Sequence, residues 1–63
     1  MLEYFKTVLS KVSFDDILFE KELLKAISSL NDEEVSTLED WCFENYEDRY
    51  GPVLIKCFAS QAA

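Results

Sequence analysis

The chain has 63 residues, with 13 acidic and 6 basic side chains, no histidine and a net charge of −7. That charge repels nucleic acid and anionic membrane, so neither is expected as a direct partner. So short a chain makes one domain, burying only about 60% of the surface its unfolded form exposes; with 49% hydrophobic residues it carries more apolar surface than such a core hides, which predicts contact with another chain.

The first predicted helix covers about Leu2–Val12. Leu2, Tyr4, Phe5, Val8, Leu9 and Val12 take one side at a period of 3.6, and Glu3, Lys6, Thr7, Ser10 and Lys11 the other. A helix lying on a membrane needs a strongly basic polar face, which two lysines and a glutamate do not supply. The second, about Phe14–Leu30, is expected to start on a Ser13 cap that reaches Asp16, with Val12 and Ile17 as the flanking apolar pair. It buries Phe19, Leu23, Ala26, Ile27 and Leu30, with Ile17 and Leu24 at the edge and Leu18 outside.

The third helix, about Asp32–Tyr50, is the most fully specified. Asn31 and Glu34 form a capping box, Leu30 and Val35 the staple across it, and Asp32, Glu33 and Glu34 suit the positive end of the helix dipole. Gly51 is expected to end the helix in the left-handed region, and Pro52 to open a fourth, short helix over about Pro52–Ser60. That last helix is too short to stand alone and must dock; residues 61–63 are expected to fray. The expected fold is therefore all-α, a bundle of three helices with a short fourth. Its core should hold Phe5, Leu9, Val12, Phe19, Leu23, Ile27, Leu38, Cys42, Leu54 and Phe58.

Chemistry-bearing patterns are sparse. The single glycine is used at a helix end, and neither a phosphate-cradling glycine loop nor an HExxH pattern occurs. Neither Asp15 to Ala26 nor Asp32 to Phe43 has the glycine that a calcium loop needs at its sixth position. Cys42 and Cys57 lack the further ligands of a zinc site. A disulfide between them is conceivable across the third and fourth helices, but two reduced thiols filling core space is the favoured reading. The chain is read as non-catalytic, without cofactor or metal.

Two surfaces stand out as candidates for partner binding. Residues 32–63 carry eight acids against two bases, and Glu33, Asp40, Glu44 and Glu47 form a stripe on the third helix, flanked by Asp48, with Trp41 at its edge. One reading is a solvated face that keeps a greasy protein soluble; the other is a dock for a basic, nucleic-acid-binding protein, anchored by Trp41. The second surface is apolar. Tyr4, Val8, Ile55 and Phe58, with Leu18 as an outlying contact, are the candidate residues for self-association, a dimer being favoured because small helical units relieve their burial shortage by sharing a core.

The run Met1-Leu2-Glu3-Tyr4-Phe5-Lys6-Thr7, continuing through Lys11-Val12-Ser13-Phe14 to Leu18-Phe19-Glu20-Lys21-Glu22-Leu23, resembles a family of short, uncharacterised bacterial proteins. The resemblance covers mostly the first half and implies a bacterial cytosolic origin, with no activity, ligand or site residue to transfer. With neither a long apolar run nor a leader pattern, the expectation is a soluble, unexported, cytoplasmic protein.

Overall fold

The computed structural model describes residues 1–61. They form three helices, α1 (Leu2–Lys11), α2 (Asp16–Ser29) and α3 (Asp32–Gln61), with no strand among the described residues. The all-α expectation holds. The expected fourth helix is not set apart as an element of its own: α3 runs through Gly51 and Pro52 to Gln61 as two helical arms that meet at a kink. The fraying expected of the tail lies, for residues 62 and 63, outside the described residues.

α3 is nevertheless not straight. Its 30 residues would span about 45 Å as an unbent helix, yet the longest extent of the whole molecule is 26 Å. The break is at Tyr50, whose φ of −122° and ψ of 20° are non-helical. Pro52 explains why it falls there, since a proline ring clashes with the carbonyl four residues back and donates no hydrogen bond to it. Gly51 does not take the left-handed conformation expected of it: no residue has a positive φ among those described. The bend brings the two arms of α3 together. The rings of Phe43 and Phe58 lie 6.4 Å apart, where an unbent helix would separate them by about 22 Å.

The capping box at the head of α3 is present. The Glu34 N–H donates to Asn31 Oδ1 at 2.8 Å, the Asn31 N–H donates to Glu34 Oε1 at 3.4 Å, and the staple residues Leu30 and Val35 are both buried. At α2 the cap is Asp15, not Ser13. Asp15 Oδ1 accepts from the N–H groups of Ile17 at 3.0 Å and Leu18 at 3.2 Å, and a carboxylate serves two donors at the positive end of a helix better than a hydroxyl does. The Ser13 hydroxyl instead donates to the Ser10 carbonyl at 2.9 Å, helping to close α1.

The core runs from Phe5 and Leu9 on α1, through Phe19, Leu23 and Ala26 on α2, to Leu38 and Cys42 on the first arm of α3 and Leu54 and Cys57 on the second. Nine of the ten expected core residues are buried; Val12 is the exception, a half-buried residue packed against the core at the end of α1. Tyr50 joins the core as well, its ring stacked on Phe19 with centroids 4.3 Å apart. From the same face of α3, three side chains hold the α1–α2 connection. The Tyr46 hydroxyl donates to Ser10 Oγ at 3.3 Å, Arg49 Nη2 to the Phe14 carbonyl at 3.4 Å, and the Tyr50 hydroxyl to the Ser13 carbonyl.

Candidate functional site

The acidic stripe is a consequence of α3's phase. With Leu38 and Cys42 turned inward, residues on the opposite side of the helix must face water, and Glu33, Asp40, Glu44, Glu47 and Asp48 are all exposed. The four stripe residues from Glu33 to Glu47 span about 21 Å of helix. Among the described residues the ion pairs are Lys6–Glu3, Lys25–Glu22 and Lys56–Glu20, so none of the five carboxylates is neutralised by one. Asp40 with Glu44, and Glu44 with Asp48, repel one another at one-turn spacing.

Trp41 stands at the border of this face, half-buried. Its ring meets Tyr46 edge-on at 5.5 Å, and Lys6 Nζ lies 5.8 Å from its centroid. The indole thus ties α1 to α3 and leaves part of its surface toward solvent beside Asp40.

The apolar candidates divide. Tyr4 and Ile55 are exposed at 61% and 62%, Leu18 is exposed and Val8 is half-buried. Phe58 is only 6% exposed and belongs to the core. The reason is the bend: folding the second arm back on the first turns Phe58 toward Phe43 and away from solvent. The remaining candidates lie on three different helices, with Tyr4 and Val8 one turn apart on α1.

Sequence reasoning missed two strongly exposed apolar side chains beside these, Phe14 at 70% and Ile17 at 75%. The signal was present. At 100° per residue Ile17 and Leu24 fall about 130–150° from the middle of the Phe19, Leu23, Ala26, Leu30 face, which is outside the core rather than at its edge. Phe14 precedes the Asp15 cap, so it is not part of the helix at all. Near these residues, where the start of α2 meets the bend of α3, lies an open cavity of about 330 Å³ lined by Phe14, Asp16, Arg49, Tyr50, Pro52 and Val53.

The thiols are poor candidates for chemistry. Both are free and buried. Burial pushes the Cys42 thiol up to about 12, with Cys57 and Glu39 adding to the effect; Cys57 is raised first by burial and then by the Glu20 charge, with Lys56 opposing. A protonated, enclosed thiol is a weak nucleophile and a weak metal ligand. Lys56 is raised above its ordinary range by its hydrogen bond to Glu20, a surface link between α2 and the second arm of α3. Among the described residues no group of three or more potential ligands is placed to hold a metal ion, and no helix is long and apolar enough to cross a membrane. Compared with protein-family models, with curated proteins and with solved structures, the chain matches none.

Proposed function

We propose that this protein is a non-catalytic protein–protein interaction module that associates with itself, most simply as a dimer, in a bacterial cytoplasm. The observation that carries the reading is the exposure of large apolar side chains, Tyr4, Phe14, Ile17 and Ile55 each above 60%, on a chain whose own core is already closed. A surplus of exposed apolar surface on so small a domain supports a contact with another macromolecule. The arm of α3 beyond Tyr50 serves in this reading as the fourth packing unit of the bundle, and two buried, free cysteines suit a reducing compartment. Sedimentation equilibrium should give a mass near twice the monomer's 7.3 kDa at micromolar concentration. A monomer throughout the high micromolar range would overturn self-association.

A second reading is favoured by the stripe. Five exposed carboxylates without an ion pair among the described residues, beside a half-exposed tryptophan, form a surface suited to a basic protein partner. Here Asp40→Asn with Glu44→Gln should slow capture of such partners and flatten its salt dependence, because the steering field is screened over about 10 Å at 0.1 M salt. If the stripe only solubilises, the same pair should leave captured proteins unchanged and raise stability by a few tenths of a kcal/mol.

A further inference from the structure

We infer that the self-association face is the surface around the open cavity between the start of α2 and the bend of α3, and that its occupant is a second copy of this chain related by a two-fold axis. The inference rests on the self-association reading and adds to it which surface is used.

The apolar part of this face is continuous through the helix register. Phe14, Pro52 and Val53 line the cavity, and the Lys56–Glu20 link at 3.0 Å fixes the second arm of α3 alongside α2. One turn before Glu20 is Ile17, and one turn before Lys56 are Pro52 and Val53. Phe14, Ile17 and Pro52 are therefore neighbours on one surface, with Phe14 and Ile17 each more than 60% exposed; Ile55, turned about 160° from the cavity-lining Val53, faces away from it.

Charge selects the occupant. Two chains of net charge −7 repel unless they meet where acids and bases balance, and the acidic stripe cannot face itself. On the cavity rim the charged residues are one acid and one base, Asp16 and Arg49; behind them Glu20 is matched by Lys56. A two-fold axis makes such a rim self-complementary, placing each Asp16 against the other copy's Arg49. Arg49 spends one guanidinium nitrogen on the Phe14 carbonyl and keeps further donors for a carboxylate. A standard interface covers about 800 Å² per partner, roughly a fifth of this chain's 4091 Å², so a single face suffices and the stripe can stay in water.

The test compares the full chain with Ile17→Lys, Phe14→Lys and Tyr4→Lys by sedimentation equilibrium, with far-UV circular dichroism and a urea midpoint to show that each variant folds. Every one of these lowers the net negative charge, so weaker association cannot come from added repulsion. Ile17→Lys and Phe14→Lys should each raise the dimer dissociation constant tenfold or more, since a symmetric interface carries each change twice, and Tyr4→Lys should not. Should one of the first two fail to fold, the other carries the comparison. Asp16→Arg and Arg49→Asp should each weaken the dimer, and together restore it. A wild-type dimer that resists both Ile17→Lys and Phe14→Lys, or that Tyr4→Lys dissociates instead, overturns this face while leaving self-association intact. A dimer broken by the single charge changes and not rescued by the pair overturns the two-fold arrangement. A monomeric wild type overturns both readings, leaving the face to a different partner.

Discussion

Tyr50 joins three roles in one residue. Its ring stacks on Phe19 at an interplanar angle of 17°, its hydroxyl donates to the Ser13 carbonyl, and its backbone carries the non-helical torsions that bend α3. Removing only the hydroxyl separates these roles. Tyr50→Phe keeps the stack and the bend but leaves the Ser13 carbonyl without that donor, and should cost about 1 kcal/mol, the usual net worth of one hydrogen bond. Urea unfolding should show a lower midpoint with an unchanged slope; an unmoved midpoint would mean that the hydroxyl contributes nothing to holding the connection. The contrast with Asn31 and Glu34 shows what the sequence makes legible at this scale. Their reciprocal bonds span three residues and follow from local chemistry, so they could be read directly. The Tyr50 partners lie more than thirty residues away, and nothing local announces them. Ser13 and Asp15 show a third situation, in which two acceptable caps compete and the choice depends on which oxygen also has to close α1.

At the scale of elements, the bend in α3 is where a sequence rule and the structure part. A glycine followed by a proline ordinarily marks a left-handed helix end and a new start, and the arms on either side of Gly51 were placed correctly on that basis. What the rule missed is that the break sits at Tyr50 and the chain re-enters helix at once, leaving Gly51 without a positive φ. Phe58 stood both in the expected core and among the self-association candidates, and the bend, which sets the direction of the second arm, puts it in the core. A prediction follows from the space around Gly51. An added Cβ would meet only the Glu47 Cγ within 4 Å, at an ordinary 3.9 Å, so Gly51→Ala should stabilise the protein by about 0.4–1 kcal/mol, chiefly by restricting the unfolded chain. The thermal midpoint should rise. A fall equivalent to more than about 1 kcal/mol would show that the bend needs glycine's freedom after all.

For the whole molecule, acidity and a small core act together. The net charge of −7 grows more negative as pH rises, and the two buried thiols of α3 respond in the same direction. Cys42, ordinarily at 9.0, is pushed up to about 12 by burial, then by Cys57 and Glu39, and Cys57 is raised chiefly by burial. A raised pKa means that the folded chain holds protons which the unfolded chain has already released. Stability from Cys42 is therefore complete below about pH 9 and is lost as pH climbs toward 12, at about 1.4 kcal/mol per pH unit while its proton is held, and Cys57 adds loss of the same sign. Lys56, held above its ordinary 10.5 by Glu20, adds loss of the same sign only at the upper end of that window. Urea midpoints should thus be level from pH 7 to 8.5, then fall steadily to pH 10.5, and Cys57→Ala should shallow the fall while lowering the midpoint at pH 7. Iodoacetamide should label neither thiol of the folded protein at pH 8 at a rate near that of the urea-unfolded chain. A midpoint constant to pH 10.5, together with fast labelling of the native protein, would show that the thiols are open to water and that the two arms of α3 do not enclose them.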